Sequence, residues 1–545
     1  MSDSRSSTPD RPLPESSPLR ERELVVVSNR EPYVHSYSTQ SQSDSSATSA
    51  PSGDDPEISV ERSTGGLTTA LDPVLQRLGG TWVAWGSGDA DAAVADDGTV
   101  GVPPDEPAYD LERVFLEEST VEDYYYGYSN STLWPLCHGD LGRIRSEPSH
   151  WPAYVRANER FADAVLESVG SGLGPGTEAP SQDPIVWIQD YHFALLGDRL
   201  RGRLPDSAVV AQFWHVPWPS PDDLRVSPNA TALLEGLLAT DLLGFHLEEY
   251  RRNFLESVDR LLPSASVDRE AGTVRYVADD GQQPPSLTRV YAQPIGIDAS
   301  GVRDEAMSPA VSPESVRADY NLAPSDDLLL GVERLDYAKG IRKRLRAFEH
   351  LLETRPEWRG AVTHLMVSTP SREGIPEYEI YSQQVRERVA AVNDRFGTDD
   401  WTPVRHVAEP VDWERLLALY RAADALVVSS RRDGLNLVAM EYVAANASES
   451  GAVVGSEFAG VNDLFEGSIE INPYDVCGTA TEIDRALQLD PDDQHDRLRS
   501  MWHAVQRNDV GEWVRRLDRE LAAHPSLAVT TCEPDADGGR SGDSG

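Results

Sequence analysis

The chain is 545 residues long and carries 49 basic against 91 acidic side chains, a net charge of −42. That length is enough for two or more domains with full cores, and that charge excludes nucleic acid and anionic membrane as bulk partners. Three dispersed cysteines, Cys137, Cys477 and Cys532, lack metal-ligand spacing, and no run reaches the roughly 20 apolar residues of a membrane span. The acidic excess and scarce lysine point to a protein soluble in concentrated salt. No apolar N-terminal segment is seen, so the cytoplasm is the expected location.

Residues 1–22 are rich in Ser, Pro and charge and are expected to form a disordered tail. The first strand runs from Glu23 to Ser28 and ends in Ser28-Asn29-Arg30. A polar tract over 36–57 reads as a flexible insertion. Order resumes at Gly65-Gly66-Leu67 with a helix to about Leu78 and a strand over Thr81–Trp85. A helix is expected from Trp151 to Val169. The glycine-rich run that follows misses dinucleotide-binding spacing and reads as a loop. Strands are then expected at Pro184–Asp190, Ala208–Trp214, Asp241–His246 and Tyr291–Ile297, with a second polar insertion over 264–287 and an interdomain linker over Ser300–Ser312. The second half repeats the architecture, with strands near Leu328–Val332, Thr363–Val367, Val404–Val407, Ala425–Val428 and Ala452–Gly455. Alternating strand and helix predicts an α/β fold of two doubly wound parallel domains with a cleft between them, over 23–299 and 300–500. A final helix over 501–525 is expected to pack back on the first domain, and 526–545 to form a disordered tail.

Two stretches carry chemistry. Only two of the basic residues are lysines, Lys339 and Lys343, and Lys339 falls in Gly331-Val-Glu-Arg-Leu-Asp-Tyr-Ala-Lys-Gly340, between a buried strand and a periodic helix. Arg334 and Lys339 on such a loop suit an oxyanion or phosphate. Alternatively they are surface cations paired with Glu333 and Asp336. The second stretch, Ser429 to Tyr442, runs from strand to helix. There Asp433 could accept sugar hydroxyls, and Glu441, one turn into the helix, could accept both hydroxyls of a ribose. The alternative is a helix-capping aspartate and a solvated glutamate.

With both stretches in order, the chain resembles the trehalose-6-phosphate synthase family, glycosyltransferase family 20, retaining glucosyltransferases of the two-Rossmann GT-B type. Ser28-Asn-Arg30, Gly65-Gly66-Leu67, Tyr124-Tyr125 through Leu133-Trp134-Pro135, Trp187-Ile-Gln-Asp190-Tyr-His192, Trp-His215-Val-Pro-Trp-Pro, Thr369-Pro-Ser-Arg372, Phe458-Ala-Gly460 and Asn472-Pro-Tyr-Asp475 fit the same family in the same order. The resemblance implies glucose transfer from UDP-glucose or another nucleotide-glucose to glucose 6-phosphate, giving α,α-trehalose 6-phosphate. It needs no metal and no cofactor.

On that resemblance, Arg334 and Lys339 hold the donor diphosphate, with Asp190 and His215 completing the catalytic set. Gly65, Gly66, Val411, Asp433, Leu437, Val438, Ala439, Met440 and Glu441 would contact the donor. Arg30, Trp82, Tyr125, Trp134, Asp190 and Arg372 would contact the acceptor. The implied partners are therefore a nucleotide-sugar donor and a sugar-phosphate acceptor, with a homo-oligomer left open. Gln189, His246 and Met440 depart from the family's usual His, Gln and Lys. Glucosylglycerol-phosphate synthase and a catalytically silent regulatory homologue are the alternatives.

Overall fold

The structure is a computed structural model describing residues 13–38, 57–63, 65–171, 183–277, 285–308, 310, 312–323, 325–447 and 450–524. Its first half is a ten-stranded sheet. Reading across it, the strands are Ala265–Asp268, Thr273–Tyr276, Ser286–Ala292, Leu242–Phe245, Val209–Trp214, Ile185–Gln189, Leu24–Arg30, Thr81–Trp85, Tyr109–Val114 and Thr99–Val102. The seven strands from Ser286–Ala292 to Tyr109–Val114 are parallel. The second half is a six-stranded parallel sheet in the order Val404–Val407, Val362–Thr369, Asp327–Arg334, Ala425–Val428, Ala452–Ser456 and Ile469–Ile471.

Parallel strands are covered by helices on both faces, so they read as unbroken apolar runs. Val25, Val26 and Val27 are buried, as are Leu328, Leu329 and Leu330. The helix Ile341–Thr354 buries Ile341, Leu345, Phe348 and Leu352, one face at helical spacing. The carboxyl ends of the parallel strands carry Arg30, Trp85, Gln189, Trp214 and Arg334, and such ends are where doubly wound folds place ligands.

Several expectations are corrected. Residues 13–22 are ordered: Leu19 is buried, and Ser17 donates to Asp518 at 2.6 Å. Residues 1–12 and 525–545 lie outside the described residues, as does most of the glycine-rich run. The insertion expected over 264–287 includes the antiparallel pair Ala265–Asp268 and Thr273–Tyr276, which extends the sheet. The strand expected over Tyr291–Ile297 is Ser286–Ala292 instead, because Pro294 has no N–H with which to continue a ladder. The ends of the 36–57 tract join a hairpin, Tyr33–Tyr37 with Ile58–Arg62, while 39–56 fall outside the described residues. The stretch expected as a linker over 300–312 is largely the helix Ala299–Ala306.

The chain crosses between the halves twice. The last helix, Val510–Ala522, returns to the first sheet, where Trp513 lies 4.6 Å from Trp187 and 5.2 Å from Phe213, centroid to centroid. At the crossing the Val510 N–H donates to the Ile297 carbonyl at 3.1 Å. A Cβ on Gly296 would stand 1.9 Å from the Asn508 carbonyl oxygen, so the two crossings touch backbone to backbone.

Candidate active site

Lys339 leaves a short turn that opens the helix Ile341–Thr354. Gly340 makes that turn with φ +70, and a Cβ on it would stand 2.0 Å from the Ser429 carbonyl oxygen. Glycine is therefore required both for conformation and for space. The turn delivers the Lys339 Nζ to Asp433 Oδ2 at 2.6 Å. Asp433 also accepts from Ser430 Oγ at 3.0 Å and Asn436 Nδ2 at 3.1 Å. Burial works to raise its carboxyl, but Lys339 and Asn436 outweigh burial and hold it down at about 2. The surface-pairing alternative for this loop is overturned: Glu333 pairs with the fully buried Arg344 and Asp336 with Arg372.

Arg334 ends its strand with its guanidinium 5.9 Å from the centre of the Trp134 ring. Among the described residues it makes no salt bridge. Arg372, held at φ +53, lies 3.9 Å over the same ring and donates to Asp336 at 2.6 Å and to the Tyr378 hydroxyl at 2.7 Å. Burial and then the charges of Arg372 and Arg30 press Arg334 below the usual arginine range. Burial works to raise the Tyr125 phenol, but Arg30, Arg372 and Arg334 together pull it below its ordinary value. The charges of three guanidiniums therefore bear on one hydroxyl, with Asp336 already bound to one of them. Such a site stabilises an incoming dianion.

A π-type helical segment, Glu122–Leu133, carries Tyr125 and runs directly into Trp134. The side chains of Asn130 and Ser131 brace it from within, Asn130 Nδ2 and Ser131 Oγ donating to the carbonyls of Tyr125 and Tyr126, five residues back. Asp190 follows its strand at φ +72, a conformation rare for a residue with a side chain. It is held there by donating its N–H to the Phe213 carbonyl at 2.7 Å. Its carboxylate accepts from the His215 N–H at 3.2 Å. Burial raises the Asp190 carboxyl to about 7 against the pull of backbone donors and of Arg372 and Arg334.

The helix Leu437–Ala445 opens on Asn436, whose side chain accepts from the Ala439 N–H at 3.1 Å. Leu437 and Val438 are the first two residues of this helix, and their amides have no partner one turn back. Ala439 is corrected on this ground: its amide is capped, and its side chain is buried, as is that of Met440. Glu441 accepts from the Tyr420 hydroxyl at 2.8 Å through one oxygen, and burial, tempered by that bond, raises its carboxyl. Across the cleft, a Cβ on Gly66 would stand 2.7 Å from Leu437 Cδ1. Gly65 caps the helix Gly66–Leu78 beside Arg30. Val411 lies half-buried just before the helix Trp413–Ala422.

Two further expectations change. Trp82 is fully buried, donates to Ser28 Oγ at 2.8 Å and stacks on Tyr109; it is core, not a pocket wall. Trp85, at the carboxyl end of the same strand, lies 5.6 Å from Tyr125 instead. His215 is no acid at neutral pH, because burial and His246 hold its imidazole far below the usual range. His192 was not singled out by sequence, although it closes the quoted Gln-Asp-Tyr-His run. It stacks on Tyr125 at 5.9 Å and 15°, and both its ring nitrogens are buried without a partner among the described residues.

No group of three or more His, Cys, Asp or Glu among the described residues is placed to hold a metal ion, and no described helix is long and apolar enough to cross a membrane.

The family model of glycosyltransferase family 20 matches residues 22–523. A trehalose-6-phosphate synthase of Mycobacterium sp. (strain JLS) is 35% identical over 468 residues, covering 86% of this chain and 92% of that protein. The UDP-forming alpha,alpha-trehalose-phosphate synthase of Schizosaccharomyces pombe is 33% identical, covering 86% and 84%. Among solved structures, a UDP-forming alpha,alpha-trehalose-phosphate synthase from Burkholderia xenovorans in complex with glucose-6-phosphate superposes with a TM-score of 0.75 at 27% identity, covering 92% of this chain and 99% of that one. An E. coli relative bound with UDP-2-fluoro glucose does so with a TM-score of 0.75 at 28% identity and the same coverage.

Proposed function

Because the chain belongs to glycosyltransferase family 20, we propose that it transfers glucose from UDP-glucose to glucose 6-phosphate with retention, forming α,α-trehalose 6-phosphate and UDP. The observation that carries this reading is the pair of adjoining cationic sites, Lys339 with Arg334 on one side and Arg30, Arg334 and Arg372 around Tyr125 on the other. Two phosphorylated substrates need two such sites side by side.

The division of labour follows from the chemistry of each group. Lys339 has three N–H donors. One is given to Asp433, and two are left for oxygens of the donor diphosphate. Arg334 adds a fork, and together they neutralise the charge that develops on UDP as the glycosidic bond breaks. The amides of Leu437 and Val438 at the helix start add partial positive charge there, and the free oxygen of Glu441 receives the ribose. Asp433, kept ionised by Lys339, accepts hydroxyls of the glucose. Arg30, Arg372 and Tyr125 take the phosphate of the acceptor, Trp134 forms a flat wall under Arg372, and Asp190 orients the attacking hydroxyl. The donor phosphate accepts the acceptor's proton on the face from which it departs, so no side-chain nucleophile is involved. The first half supplies Arg30, Tyr125, Trp134 and Asp190 to the acceptor, while the second half supplies the side chains that hold the donor and lends Arg372 to the acceptor phosphate.

The test uses purified protein in high potassium chloride. UDP-glucose is expected to release UDP only when glucose 6-phosphate is added. Equal release with glycerol 3-phosphate would move the acceptor assignment to glucosylglycerol phosphate, and tight binding of both substrates without turnover would make the chain a silent homologue.

A further inference from the structure

Gln189, His215 and His246 sit behind the seam between the two sheets. Gln189 is fully buried at the end of the strand Ile185–Gln189. Its amide nitrogen donates to the Trp187 carbonyl at 3.4 Å, and its Oε1 lies 2.9 Å from His215 Nε2. Turning the amide over would set its oxygen against the Trp187 carbonyl, acceptor against acceptor. The oxygen therefore faces His215, so His215 carries its proton on Nε2 and its lone pair on Nδ1.

The neighbouring ring is fixed in a matching way. His246 Nδ1 accepts from the Ile295 N–H at 3.2 Å, which leaves its Nε2–H to donate to the His215 main chain. Burial, and for His215 the adjacent His246, keeps both rings neutral. The groups facing this pair are Asp190, which accepts the His215 N–H, and Asp433, whose charge bears on His246; Phe213 and Trp513 close the remaining sides with apolar rings. The His215 carbonyl lies where a Cβ on Gly434 would stand 2.2 Å away. His215 is thus next to the loop that carries Asp433.

The geometry points to Gln189 as a positioning residue that locks His215 in the Nε2–H tautomer, so that Nδ1 accepts a hydroxyl of the donor hexose. This rests on the reading of Asp433 as the hexose-side carboxylate. A glutamine does this without titrating. The tautomer is therefore set by a neutral amide and stays the same wherever His215 is neutral.

The test reads the tautomer and the kinetics separately. In the wild-type protein, long-range 1H–15N spectra of the imidazoles, with His215 assigned from the His215→Gln variant, are expected to show a protonated Nε2 and an unprotonated Nδ1. In Gln189→Leu that signature is expected to collapse towards a mixture. The same variant should lose about tenfold in kcat/KM for UDP-glucose while KM for glucose 6-phosphate stays within about twofold. Gln189→His, which can again offer a lone pair to Nε2, should recover part of the loss. A protonated Nδ1 on His215 in the wild-type spectrum would overturn the inference whatever the Gln189 variants do. So would Gln189→Leu with wild-type spectra and kinetics. Failure of the wild-type protein to transfer glucose would instead remove the proposed function and leave the tautomer result standing.

Discussion

Replacing Lys339 by alanine separates its two roles by magnitude. In the fold it neutralises Asp433, and both side chains are mostly buried, at 15% and 13% exposure. Asp433 stands at about 2 against an ordinary 3.8. That is roughly two pKa units, or about 2.5 kcal/mol, the net of the pull of Lys339 and Asn436 against the opposing push of burial. A depressed carboxyl contributes stability that is present above its unfolded value and lost as pH falls towards 2. The variant should therefore melt a few degrees lower at pH 7, with the gap to wild type closing below about pH 3. In turnover, removing one group that stabilises developing charge costs about a hundred- to a thousandfold in kcat. Lys339→Met, which keeps the apolar stem, should show the same kinetic loss. UDP release under saturating donor and acceptor measures it, and calorimetry from about pH 2 to 8 measures the rest. Turnover within tenfold of wild type in a folded variant would refute the leaving-group role, and an unchanged melting temperature at pH 7 would refute the electrostatic one.

Three further variants address the neighbouring groups. Asp190 ionises at about 7, so kcat/KM for glucose 6-phosphate should fall below that pH, and Asp190→Asn should remove this limb along with most of the activity. Its raised carboxyl also means that stability is lost as pH rises through 7, so Asp190→Asn should melt higher than wild type at pH 8 and lose that advantage below pH 4. Trp82→Ala should destabilise by about 3–5 kcal/mol in denaturant titration with substrate constants unchanged, whereas Trp85→Ala should raise KM for glucose 6-phosphate with little loss of stability. Glu441→Gln should raise KM for UDP-glucose about tenfold, because an amide whose oxygen keeps the bond from Tyr420 turns an NH2 donor, which cannot accept, towards the ribose hydroxyls; an unchanged KM would move the ribose elsewhere.

Much of this was legible in the residues. The loop Gly331–Gly340 sits between strand and helix as its pattern predicts, and the periodic stretch after it is the helix Ile341–Thr354. What escaped has physical causes. Residues 13–22 have no periodicity of their own and are held by distant partners, Ser17 by a helix some 500 residues away and Arg22 by the Ser207 carbonyl. The pair Ala265–Asp268 and Thr273–Tyr276 is an edge ribbon in which only Val274 and Tyr276 are buried, and so reads as polar insertion. Trp82 and Trp85 are three apart, hence on opposite faces of one strand, and only the end of the strand reaches the cleft. The π-type turn that aims Tyr125 has no signature in a 3.6-residue period. The capped amide of Ala439 could have been anticipated, since Asn436 stands three residues before it.

The touching crossings at Gly296–Ile297 and Asn508–Val510 bear on how the cleft opens. A single connecting segment lets two bodies swivel about any axis through it. Two segments bonded side by side, like the leaves of a door on one pin, remove the twisting motions and leave a single arc. The cationic groups of one sheet then meet those of the other in the same register at every closure, with Gly296 as the point where added bulk would jam the pin.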